Sequence, residues 1–138
     1  MLGASAEGDP RAARIFLGLS ALIWLPYGVL CFLQPAGLAE AAGVAFTSPT
    51  GATEIRAMYG GLTVAVGGLA LAGALRPALA GLALTLLLVS CAGLGVARLL
   101  GAGIDGELSS YTAMALALEL GTVAVTAWLL RRQPALAA

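Results

Sequence analysis

Four apolar stretches, each long enough to cross a lipid bilayer, divide almost the whole chain. They run from about 12 to 33, 49 to 75, 77 to 100 and 109 to 130. A helix needs about 20 mostly apolar residues to cross a ~30 Å hydrocarbon layer, and each stretch meets that length. Charges are sparse: 10% of the 138 residues are charged and 60% are hydrophobic. A water-soluble domain carries about 25% charged residues. The helices predicted here have almost no polar face to turn toward water. No ten-residue segment alternates apolar and polar residues as a membrane β-strand would. The expected fold is therefore all-α, a membrane-embedded four-helix bundle, with residues 1–138 forming a single integral membrane domain.

The charged residues also predict a topology. All seven basic residues are arginine. Arg11 and Arg14 precede the first span, Arg76 separates the second from the third, and Arg131 and Arg132 follow the fourth. With four spans these five positions fall on one side, expected to be cytoplasmic, as are both termini. The opposite connections carry Glu40, Asp105 and Glu107 and no arginine. The apolar run of the first span exceeds the ~7–15 residues of a secretory signal core, so it is read as a retained helix.

Several function classes are excluded by inventory. The chain has no histidine, lysine or asparagine. Histidine-based triads, histidine metal sites, lysine Schiff bases and P-loops are absent with them. No basic face is available for nucleic acid. Cys31 and Cys91 form no C-x-x-C pair, and their places in the spans do not favour a disulfide. No metal, cofactor or catalytic residue is assigned.

Local signals mark the connections. Pro26 lies inside the first span and is expected to kink it. Pro35 can open a short helix through Ala42, ended by Gly43, and Ser48-Pro49 reads as a cap followed by a first-turn proline. Arg76-Pro77 forms a tight turn. Residues 101–106, rich in glycine, read as a flexible loop, after which Ser109 can cap the last helix. Small residues at four-residue spacing (Ala57, Gly61, Ala65; Gly93, Ala97, Gly101; Ala113, Ala117, Gly121) are expected to pack within the bundle.

Four ionisable groups lie inside the spans: Glu54, Arg56, Arg98 and Glu119. Each costs about 2.5–3.5 kcal/mol at mid-membrane unless it finds a partner. Glu119 is the deepest, and pairing with Arg56 or Arg98 is expected. Glu54 lies nearly opposite Arg56 on its helix and is expected to face another helix or to support a helix N-terminus. Polar residues recur at helical spacing beside these charges: Tyr59 and Thr63 near Arg56; Thr112, Thr122 and Thr126 near Glu119; and Ser20, Trp24, Tyr27 and Cys31 on the first span. Turned inward, these stripes would form one polar chamber in the outer half. Plainer readings coexist. The charges can be structural pairs that fix register, Glu54 and Arg98 can snorkel to the interface, and the threonines can bond their own helix. Tyr111 fits an interfacial aromatic belt, whereas Trp24 and Tyr27 lie too deep for one.

The segment Glu54-Ile-Arg56-Ala57-Met-Tyr59-Gly60-Gly61 resembles the E-x-R-A-x-Y-G-G signature of a bacterial family of small membrane proteins catalogued as a domain of unknown function, similar in architecture to the DoxX-like four-helix proteins. The resemblance implies an inner-membrane four-helix bundle with an acidic residue in the last helix, here Glu119. Some DoxX-like proteins are associated with thiol or respiratory redox systems; the C-x-x-C pair for thiol chemistry is missing here. The expected function is an accessory or ligand-binding membrane subunit holding a lipid, a quinone or another small amphiphile, with Arg56, Tyr59 and Glu119 orienting its head. A membrane protein partner or a second copy is a further expected partner. The alternatives are a proton-coupled small-molecule transporter using Glu119, and a structural or interaction protein with no ligand. An enzyme running proton transfer through a carboxylate, a tyrosine and an arginine is the weakest reading.

Overall fold

A computed structural model of the chain describes residues 10–132. The elements are α1 (Pro10–Leu33), α2 (Pro35–Ala42), α3 (Pro49–Ile55), a π-helical turn (Arg56–Gly61), α4 (Leu62–Leu75), α5 (Pro77–Asp105) and α6 (Ser110–Arg132). There are no strands among the described residues. α3, the π turn and α4 form one continuous rod, so four helical rods have the length and apolarity to span a membrane.

The punctuation is local. α1 runs through Pro26 without a break. Gly43 ends α2 in the left-handed conformation at φ 67°. There the Gly43 N–H donates to the Glu40 carbonyl and the Val44 N–H to the Ala39 carbonyl, the two bonds of a Schellman end. Ser48 Oγ accepts from the Gly51 N–H at 3.2 Å, capping α3 ahead of Pro49. Arg76 alone, in extended conformation, turns the chain from α4 into α5, which opens on Pro77.

Two expectations are corrected. Residues 101–105 are not a loop: α5 continues to Asp105, and Gly106, at φ 68°, is its left-handed stop. Glycine is a weak breaker where an unpaired peptide group has no water to bond, so the ladder of α5 persists to the end of the rod. The three rows of small residues also do not pack inward. Ala57, Gly61 and Ala65, Gly93 and Ala97, and Ala113, Ala117 and Gly121 are exposed on the outward face of the chain, and Gly101 is half-buried.

The rows that do pack are offset from these. α1 lies chiefly against the second rod, α4 against α5, and α5 against α6. A Cβ on Gly28 would stand 2.8 Å from the Val64 nitrogen, and one on Gly60 would stand 2.8 Å from Phe32 Cβ. Backbone meets backbone there, as it does where small residues bring membrane helices together.

Two arginines fasten the same helix pair at its two ends. Arg14 Nε donates to the Ala74 carbonyl at 2.8 Å, and Arg56 Nε donates to the Phe32 carbonyl at 3.1 Å. Both acceptors lie in the last turn of a helix, where carbonyls lack an intrahelical donor. The interior divides in two. Ala13, Leu17, Ala21, Val66, Ala70, Leu84, Leu87 and Leu129 fill the half toward the arginine-bearing end. Cys31, Leu38, Ala39 and Ile55, with Phe46 and Tyr111 against them, fill a smaller cluster toward the acid-bearing end.

Candidate functional site

Arg98 and Glu119 meet between α5 and α6. Arg98 lies seven residues before the end of α5, about 10 Å below Asp105, and Glu119 lies nine residues into α6, about 14 Å from its start. Arg98 Nε donates to Glu119 Oε1 at 2.8 Å. Of the two guanidinium groups expected to reach Glu119, Arg98 is the one that does. The charge-assisted bond is short, and the carboxylate that accepts it is buried, which strengthens it.

The carboxylate is only half satisfied. Glu119 is 5% exposed, and its Oε2 is buried with no hydrogen-bond partner among the described residues. Gly95 lies one turn below Arg98, and a Cβ there would stand 3.8 Å from Oε2. The second oxygen therefore faces glycine backbone rather than a donor. Buried carboxylate oxygens normally have a partner, which sets this atom apart.

Arg98 reaches the other way, into a cavity of about 690 Å³ at the acid-bearing end, lined among others by Glu40, Asp105, Glu107, Tyr111 and Thr112. A guanidinium has five N–H donors, and Arg98 uses Nε alone among the described residues. Its Cζ stands 5.8 Å from the centroid of the Tyr111 ring, close enough for a cation–π contact. The Tyr111 hydroxyl lies 3.4 Å from that of Tyr27 on α1. Ser109 caps α6 by accepting from the Thr112 N–H at 3.2 Å, which fixes this wall of the cavity.

Arg56 does not meet Glu119; it bonds the end of α1. Tyr59, 37% exposed on the π turn, lies within electrostatic reach of Arg98, and Tyr27, 39% exposed, meets Tyr111. Glu54 is exposed on α3. Of the expected polar stripes, Thr112 lines the cavity with Arg98, whereas Ser20, Thr122 and Thr126 are not among its lining residues. Ser20, Thr122 and Thr126 donate to the carbonyls of Phe16, Leu118 and Thr122, four residues back on their own helices. Cys31 and Cys91 are both buried and free. Among the described residues no three Cys, Asp or Glu side chains converge as metal ligands would.

Two residues were missed in these roles by sequence reasoning. Tyr111 was assigned to the aromatic belt, yet it touches Arg98; its place one residue into α6, opposite the last turns of α5, was the available signal. Arg14 was read only as an orientation charge, and nothing in the sequence marks its carbonyl partner.

Residues 12–130 match a family model defined as a domain of unknown function, DUF4345. The match runs from the first turn of α1 to near the end of α6. The chain belongs to the DUF4345 family. No match was found among curated proteins or among solved structures. The DUF4345 region contains the Arg98–Glu119 pair, the arginines that fasten α1, and most of the cavity lining.

Proposed function

We propose that this chain is a membrane-embedded binding protein whose cavity at the acid-bearing end receives the polar head of a small amphiphile, a lipid or a quinone. One observation carries the reading. Arg98 is held from beneath by Glu119 and still offers its remaining donors to a cavity of about 690 Å³. A preorganised donor at the floor of a roomy polar cavity suits a carbonyl or phosphate oxygen, with Tyr111 beside it. In this reading the protein lies in the bacterial inner membrane as a DoxX-like accessory subunit. Its arginine-bearing end faces the cytoplasm, and the cavity opens outward. The test is mass spectrometry of the chain purified in mild detergent. A bound lipid or quinone is expected; Arg98→Ala should empty the site, and so should the double replacement of Arg98 and Glu119 by leucine, which spares the fold the unpaired carboxylate. An amphiphile retained in Arg98→Ala, or none in the parent chain, overturns the reading.

A second reading is a proton-coupled small-molecule transporter, favoured by one observation: Glu119 Oε2 is buried in a lipid-length segment without a partner. Glu119 would then exchange a proton for substrate. In sealed vesicles carrying a pH gradient, candidate amphiphiles should discharge the gradient through the parent chain and not through Glu119→Gln.

A further inference from the structure

The cavity that holds Arg98 is also lined by three acids, Glu40, Asp105 and Glu107. All three are exposed, and none forms an ion pair among the described residues. Two of them stand where a helix least tolerates an acid. Glu40 lies in the last turn of α2 and Asp105 is the last residue of α5, and neither last turn carries a basic residue. The C-terminal end of a helix is the negative end of its dipole and bears carbonyls without intrahelical donors, so a carboxylate there costs stability and a cation there gains it. Both helix ends line the cavity, through Ala42 and Ala102. Two helix ends and three carboxylates thus gather around a single guanidinium that is already paired with Glu119. Sequences break local rules of this kind at functional sites.

We propose that the cavity takes a zwitterionic lipid head, the phosphoethanolamine of a phosphatidylethanolamine, with its phosphate on Arg98 and its ammonium among Glu40, Asp105 and Glu107; this rests on the binding role proposed above. A guanidinium matches phosphate oxygens. A quinone brings nothing for the acids, and an anionic head adds negative charge beside them. The acids do not converge on one point as metal ligands would. A choline head calls for a cage of aromatic faces. Tyr111 is the lone aromatic residue among the described lining, and it already meets Arg98. A primary ammonium instead donates three N–H bonds, which suits carboxylates and open carbonyls. Leu100 and Ile104, each next in sequence to a lining residue, are exposed on α5 and offer an acyl chain an apolar track that the free head does not use.

The test is native mass spectrometry of the full chain in mild detergent. Phosphatidylethanolamine, phosphatidylglycerol and phosphatidylcholine with identical acyl chains are added together, and free phosphoethanolamine is then added as a competitor. Phosphatidylethanolamine is expected to be retained over the other two lipids and to resist the free head. The triple variant Glu40→Gln, Asp105→Asn, Glu107→Gln should lower its ratio to phosphatidylglycerol about fivefold, the strength of one good exposed ion pair. Glu54→Gln, the same kind of charge change outside the cavity lining, should leave the ratio as it is. An unchanged ratio in the triple variant, an equal fall in Glu54→Gln, preferential retention of phosphatidylglycerol or phosphatidylcholine, or displacement by free phosphoethanolamine overturns the proposal. The binding role itself survives those outcomes as long as lipid is lost when Arg98 and Glu119 are both replaced by leucine. Lipid retained in that double variant, or none on the parent chain, overturns both.

Discussion

Arg14 and Arg56 form a reciprocal clasp: each lies near the start of one rod of an antiparallel pair and donates through Nε to a carbonyl in the last turn of the other. A helix end at the margin of a membrane has few waters to satisfy its carbonyls, and the clasp supplies donors at both ends of the pair. Lysine has no equivalent of Nε and meets the carbonyl only as a flexible point charge. Arg14→Lys and Arg56→Lys should each lower stability by about 1–2 kcal/mol. The double variant should lose the sum, because the two bonds lie at opposite ends and share no partner. Thermal unfolding in detergent checks this.

The Arg98–Glu119 pair should show the asymmetry of buried ion pairs. Arg98→Ala leaves a buried carboxylate without its cation and should cost about 3–5 kcal/mol. Replacing both residues with leucine should recover most of that loss. If the double variant folds well and still carries its amphiphile, the pair serves packing alone and the binding role falls.

Close approach makes two glycines irreplaceable and leaves a third free. Gly28→Ala and Gly60→Ala each place a methyl 2.8 Å from neighbouring atoms and should cost about 1–3 kcal/mol. Gly18, with nothing within 4 Å of an added Cβ, should accept alanine with a gain of about 0.5–1 kcal/mol in helix propensity. Melting temperatures of the three variants decide the matter.

Thr126 is fully buried, yet its hydroxyl bonds only its own helix. Thr126→Val keeps the volume and loses a local bond, so any amphiphile that co-purifies should remain bound in full. Loss of ligand would mean that the polar stripe of α6 reaches the site after all.

The four rods, the α2 helix with its Gly43 stop, the Ser48 cap and the Arg76 turn were legible because each is written in a few adjacent residues or in a run of apolar ones. Helix phase was not. The spans are apolar on nearly every side, so periodicity does not tell Gly60 and Gly67, which pack, from Ala57 and Gly61, which face outward. Among the site residues, Glu119 was found from depth alone and one of its two candidate cations was right. Arg56 was misread because its partner is a backbone carbonyl at the end of α1, and a carbonyl has no sequence signature. The run to Gly106 was misread because glycine punctuates helices in water more strongly than in lipid.

The π turn at Arg56–Gly61 winds one extra residue into an otherwise α-helical rod. The second span therefore carries slack. Cutting one residue from this turn lets the ladder close as ordinary α-helix, with α3 and α4 still facing the sides they face now. The same cut inside α4 would rotate everything beyond it by about 100° and pull its glycines off α1.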